Sequence, residues 1–230
     1  MDVKQHRPVE SKSGSPFRSR DERAAERAEK RAALLKAAVQ MFNERGFHAT
    51  SLDEVAASLG VSKPTVYHYL GNKDQVLLEC VSRGIAELRE AADEAAKAPG
   101  QGVDRLRAFL CRYAEINMGD YGRCVIRTGD ESLSADSALR FRALKREIDR
   151  ALRALIEEAM ADGSIARGDV KLIAFTLSGA LNWPARWFRA DGEQSAEAIA
   201  RTMVNLLLNG LVGPKPAAPA RAPATGSRRA

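Results

Sequence analysis

Residues 50–73 read TSLDEVAASLGVSKPTVYHYLGNK, and the rest of the chain is organised around them. Leu52, Val55, Ala56 and Leu59 recur at i, i+3, i+4 and i+7, the spacing that gives a helix one apolar stripe. Ser51 is placed to cap that helix, and Glu54, three residues on, completes a capping box. Gly60 ends it, because glycine takes the left-handed conformation that a helix C-terminus often needs. Ser62 caps a second helix, whose first turn tolerates Pro64 since the N–H groups there lack intrahelical partners. Two short helices joined by a tight turn result.

In the second helix Val66 and Leu70 lie one turn apart and face inward. Pro64, Thr65 and His68 then point the other way, with Tyr67 and Tyr69 on the flanks. Such a face, small or aromatic and rich in hydrogen-bonding groups, suits a DNA major groove. A helical hairpin inside a larger bundle, with two solvated tyrosines, satisfies the same spacing.

The residues on either side, RGFHATSLDEVAASLG before and KDQVLLECV after, narrow the choice. From Leu34 to Leu78 the chain resembles the N-terminal domain of the TetR family of bacterial transcriptional regulators, whose recognition helix carries a Tyr-His-Tyr segment followed by a lysine. Tyr67, His68, Tyr69 and Lys73 occupy those places here. The resemblance implies an all-α fold: an N-terminal three-helix helix-turn-helix domain plus a C-terminal helical bundle for ligand binding and dimerisation. It also implies a homodimer on a palindromic operator in double-stranded DNA. Thr65, Tyr67 and His68 would meet bases or nearby phosphates, while Ser51, Tyr69 and Lys73 hold the backbone. Ser62, Lys63 and Pro64 complete the candidate DNA face. Lys73, at a helix N-terminus, suits a phosphate, a reading that outweighs that of a merely solvated charge.

With 230 residues, 45% hydrophobic and 29% charged, the chain has the composition of a soluble globular protein. No run reaches the roughly 20 apolar residues that cross a bilayer, and the N-terminus lacks the apolar segment of a signal peptide. A cytoplasmic protein without membrane association is expected. Cys80, Cys111 and Cys124 are odd in number and scattered, which suggests buried thiols rather than disulfides, with a redox pair as the alternative. The net charge of +6 invites a nucleic-acid reading, but residues 1–20 carry +3 and residues 213–230 carry +4, leaving −1 for 21–212. The positive excess sits on the tails, so bulk charge carries no DNA argument, although a basic arm can add phosphate contacts.

In order, the chain divides into a disordered basic arm (1–20), a helix-turn-helix domain (21–76), a helical ligand-binding and dimerisation domain (77–212) and a Pro/Ala-rich disordered tail (213–230). Helices are expected at 21–45, 73–97, 103–118, 123–128, 134–161, 169–189 and 195–211 besides the central pair. The last two long ones are the most apolar. Ser178, Gly179 and Ala180 permit close helix approach, and the resemblance implies that these helices pair with their copies in a second subunit.

A second constellation, LNWPARWFRADG, holds both tryptophans. Trp183 and Trp187 share a helix face, Arg186 and Arg189 lie beside them, and Pro184 kinks the helix. Aromatic packing at a helix end accounts for the pattern; so does a pocket in which arginines pair an anion and indoles cover an apolar part. The RWFRADG segment is similar to one in members of the same family that sense acyl-coenzyme A thioesters. A thioester effector is therefore expected, with a multidrug-type sensor as its competitor. No nucleophile elbow, phosphate loop or metal-ligand cluster occurs, and His6, His48 and His68 all lie outside the sensor body; no enzyme, metal or cofactor is expected. An all-helical interaction protein without DNA binding is the reading from another class.

Overall fold

The computed structural model describes residues 19–131 and 133–211, so residues 1–18 of the expected basic arm and the whole expected C-terminal tail lie outside the described residues. Ser19 and Arg20 belong to the folded body. Ser19 accepts from the Glu22 amide at 3.1 Å while Glu22 Oε2 accepts from the Ser19 amide at 2.7 Å, so a capping box starts α1 (Arg20–Arg45). Gly46 ends it.

Helices α2 (Leu52–Ser58) and α3 (Lys63–Leu70) follow in the expected places. Between them the Val61 amide donates to Ala56 O at 3.1 Å and the Gly60 amide to Ala57 O at 3.2 Å. This pairing of the last carbonyls needs a left-handed residue at Gly60, where φ is +64°. The turn also corrects one expectation. Leu59 leaves helical phase as the cap of α2 and is 42% exposed, whereas Leu52, Val55 and Ala56 are buried.

The head closes around Leu35, Val39, Phe42 and Phe47 from α1 and the loop after it, with Val66 and Leu70 from α3. Helix α4 (Lys73–Lys97), capped by Asn72, crosses the expected boundary at 76/77 without interruption. Its residues up to Ile85 complete the head's core, and Leu88 and Ala95 belong to the core of the body. One rigid helix thus serves both.

The body consists of α5 (Gly102–Met118), α6 (Asp120–Thr128), α7 (Ala135–Ala161), α8 (Val170–Asn182), α9 (Pro184–Trp187) and α10 (Ala196–Asn209). Helix α6 begins three residues earlier than expected. The chain turns from α5 into it so tightly that a Cβ on Gly122 would lie 2.1 Å from Ile116 O, so only glycine fits. The expected single helix over 169–189 is two: α8 stops at Asn182, and Pro184, which lacks an N–H, restarts the chain as the single turn of α9. Phe109, Leu110, Leu152, Ile156 and Leu181 fill the centre of the body. Cys80 and Cys124 are buried, Cys111 is half-buried, and all three are free thiols.

Candidate DNA interface and effector cavity

Helix α3 sorts its residues as its period dictates. Val66 and Leu70 are fully or almost fully buried against α1 and α2, Tyr67 is 48% exposed, and Lys63, Pro64 and His68 are exposed. Thr65 and Tyr69 are half-buried, and Tyr69 packs against the head's core. Ser62 accepts from the Thr65 amide at 3.3 Å, and its hydroxyl lies 2.7 Å from that of Thr65. Lys63 Nζ donates to Asp53 Oδ2 at 2.6 Å. That contact holds the Asp53 carboxyl below the usual carboxylate range, with a smaller contribution from the Tyr67 hydroxyl, and it raises Lys63 in turn. Ser51 is committed to capping: its hydroxyl donates to Glu54 Oε2 at 2.8 Å and accepts from the Glu54 amide at 3.2 Å.

Two residues qualify the sequence reading. Lys73 does not stand free in solvent at the start of α4. Its ammonium donates to Phe47 O and lies 4.4 Å from the centre of the Phe47 ring, where burial holds it below the ordinary lysine range. A phosphate at this position would have to draw the ammonium away from that carbonyl. Arg27 on α1, which sequence spacing did not single out, lies with Nη2 3.5 Å from His68 Nε2, so a second helix adds a cation beside the candidate DNA face.

The body contains a cavity of about 520 Å³, within the usual range for small-molecule sites. Val81 of α4, Val125 and Ile126 of α6, Phe141, Ile148 and Leu152 of α7, and Phe175 of α8 give it an apolar wall. Tyr113, Asn117, Ser178 and Asn182 are its neutral polar groups, and Arg142, Lys145 and Arg146 of α7 line it together with the carboxylates Asp130 and Asp149. Arg142 pairs with Asp130 at 3.4 Å, and Asp149 with Arg153 at 2.8 Å. Lys145 and Arg146 are left without a carboxylate partner among the described residues.

None of the four residues expected to bind ligand lines this cavity. Trp183 is 61% exposed, Trp187 is 47% exposed, Arg186 is exposed, and Arg189 pairs with Asp191 at 2.9 Å on the surface. The break at Pro184 turns the indoles outward, while Phe188 between the arginines is buried. The signals that could have found the cavity were Tyr113 and Asn117, polar groups one turn apart on the buried side of α5, and Asn182 at the end of an otherwise apolar helix.

A helix-turn-helix head with a polar, aromatic reading face, joined by one continuous helix to an all-helical body with a cavity, defines a DNA-binding transcriptional regulator. Residues 34–80 match the family model described as bacterial regulatory proteins, tetR family, and residues 99–211 match that of the tetracyclin repressor-like C-terminal domain. The TetR family regulator PfmR from Thermus thermophilus is 32% identical, with a TM-score of 0.70 over 78% of this chain and 99% of that one. AibR, solved in complex with isovaleryl coenzyme A and operator DNA, is 25% identical, with a TM-score of 0.66 over 79% of this chain and 99% of that one. The fatty acid metabolism regulator protein of Bacillus subtilis (strain 168) is 22% identical over 184 residues, 77% of this chain and 93% of that one. The chain belongs to the TetR family. These relatives are regulators of transcription, not enzymes, and no helix among the described residues is long and apolar enough to cross a membrane.

Proposed function

We propose that this protein is a homodimeric repressor released from a palindromic operator when an acyl-coenzyme A thioester enters the cavity of the body. The observation that carries the reading is the double role of α6. Val125 and Ile126 on α6 form part of the cavity wall. The same helix is bonded to the head: Asn43 Nδ2 of α1 donates to Asp120 O at 2.9 Å, and Arg127 Nη1 donates to Asn43 O at 2.6 Å. An occupant that displaces Val125 and Ile126 therefore bears on α1, and through it on the angle of α3. A ligand that binds better when the head is displaced shifts the population away from the DNA-competent state by its difference in affinity for the two states.

Support for the dimer comes from large apolar groups left bare on neighbouring helices: Leu172, Phe175 and Trp183 along and beyond α8, Trp187 on α9, and Leu206 on α10. Ser178 and Gly179 keep α8 flat enough for close approach of a second copy. On this reading Trp183 and Trp187 belong to, or border, the subunit interface. Two heads fixed at one spacing would then engage successive major grooves through Thr65, Tyr67 and His68.

Support for the thioester assignment comes from Lys145 and Arg146, cations at the edge of the cavity able to pair a phosphate-bearing head group, beside an apolar wall fit for an acyl chain. Calorimetric titration with octanoyl-coenzyme A tests it. One site per chain is expected, with affinity at least about tenfold weaker in Arg146→Glu. Absence of binding by short-, medium- and long-chain acyl-coenzyme A alike removes the thioester from the account.

A further inference from the structure

We propose that Asn182 is the specificity-determining residue of the effector cavity, its side-chain amide donating a hydrogen bond to the carbonyl oxygen of the ligand. The inference rests on the effector reading above and names the chemical group that the cavity selects.

Two donors meet at one atom of Asn182. Tyr113 Oη donates to Asn182 Oδ1 at 2.8 Å, and Asn117 Nδ2 donates to the same oxygen at 2.8 Å. An amide oxygen has two lone pairs, so Asn182 Oδ1 is fully engaged. Both donors are held in place, Tyr113 being 7% and Asn117 6% exposed. Burial also keeps the Tyr113 phenol above its ordinary range, so it remains a protonated donor. With its oxygen fixed from the α5 side, Asn182 has only its NH₂ group to offer, and among the described residues no acceptor for that group accompanies the two bonds.

That NH₂ group belongs to a residue lining a cavity whose apolar wall includes Val81, Phe141, Leu152 and Phe175 and whose lining also includes Ser178 and Asp149. A donor of fixed orientation that faces the cavity contributes most when a ligand acceptor meets it, so it discriminates between ligands that carry an acceptor there and ligands that do not. Tying α5 to α8 would need only one of the two bonds to Oδ1. The second fixes the orientation of the amide, and an oriented amide sorts ligands by their polar groups. The cavity therefore selects an elongated apolar molecule with one carbonyl oxygen inside and an anionic group at the Lys145 and Arg146 edge.

The test compares two probes that differ at one group: octanoyl-coenzyme A, a thioester, and S-octyl-coenzyme A, the thioether without the carbonyl oxygen. Calorimetry on the full chain is expected to give about tenfold tighter binding of the thioester to the wild type. In Asn182→Leu the two probes should bind within about twofold of each other, and in Asn117→Leu, which frees the amide to rotate, the preference should shrink to about threefold. Near-ultraviolet circular dichroism identifies any variant that has lost its fold, and the wild-type comparison stands without either variant. Equal binding of thioester and thioether by the wild type overturns the role of Asn182 and leaves the cavity's function intact. Failure of both probes to bind overturns the effector reading and this inference with it.

Discussion

Replacing Tyr67 by alanine isolates the reading face from the fold that carries it. The side chain is about half exposed on α3, outside the buried set of Val66 and Leu70, so truncation opens no cavity in the head. Surface changes of this kind alter stability by no more than about 0.5 kcal/mol. A side chain that meets bases or adjacent phosphates is worth about 1–3 kcal/mol of operator binding. A dimer on a palindromic operator loses it twice, about 2–6 kcal/mol together, or roughly 30-fold to 10⁴-fold in affinity. Fluorescence anisotropy with an operator selected by the protein from random DNA, at one fixed salt concentration, measures the loss, and urea denaturation measures stability on the same sample. Wild-type operator affinity in the alanine variant refutes the placement of Tyr67 at the DNA. A loss of affinity accompanied by an equal loss of stability refutes the separation of face and core.

Three further outcomes follow from named contacts. Arg31 of α1 binds Glu79 of α4 at 3.1 and 3.3 Å and Arg83 joins them at 3.0 Å; the bonds from Arg31, first among the causes, hold the Glu79 carboxyl below its ordinary 4.5. A depressed folded-state value means that this stabilisation is complete above pH 4.5 and is lost as pH falls through the folded value, so Glu79→Gln should destabilise by less than about 1 kcal/mol at neutral pH and flatten the acid side of the stability profile in urea titrations. Arg127→Ala removes the bond to Asn43 O and should leave operator affinity within about twofold while reducing the effector's influence on it several-fold, measured by anisotropy with and without octanoyl-coenzyme A. Trp183→Glu combined with Leu206→Glu places charge on the bare face of α8 and α10 and should halve the mass seen by sedimentation and weaken operator binding by more than about 100-fold; a variant that stays dimeric removes this face from the interface.

What the sequence made legible was whatever depends on one helix at a time. The capping residues Ser51, Ser62 and Asn72 stand where side-chain chemistry put them, and the 3.6-residue period separated Val66 and Leu70 from Tyr67 and His68. Leu59 failed because the period was extended one residue past the point where the helix stops. The cavity residues were beyond this kind of reading. Tyr113 and Asn182 are 69 positions apart, and no local pattern announces that they share an oxygen. Trp183 and Trp187 drew attention for their chemistry, yet large apolar residues exposed on a helix end and those that line a cavity have the same sequence signature. Lys73 shows the converse: its type and place at a helix start suggested a phosphate, while the carbonyl of Phe47, distant in sequence, holds it in the free protein.

Filling the cavity is expected to loosen the grip on DNA. The most direct measurement is the operator dissociation constant with and without saturating octanoyl-coenzyme A, with occupancy of the cavity established by calorimetry in the same buffer. Operator binding is expected to be at least about tenfold weaker in the loaded protein, corresponding to a coupling of about 1–3 kcal/mol through α6 and Asn43. An unchanged operator affinity in a protein whose cavity is demonstrably filled would contradict it.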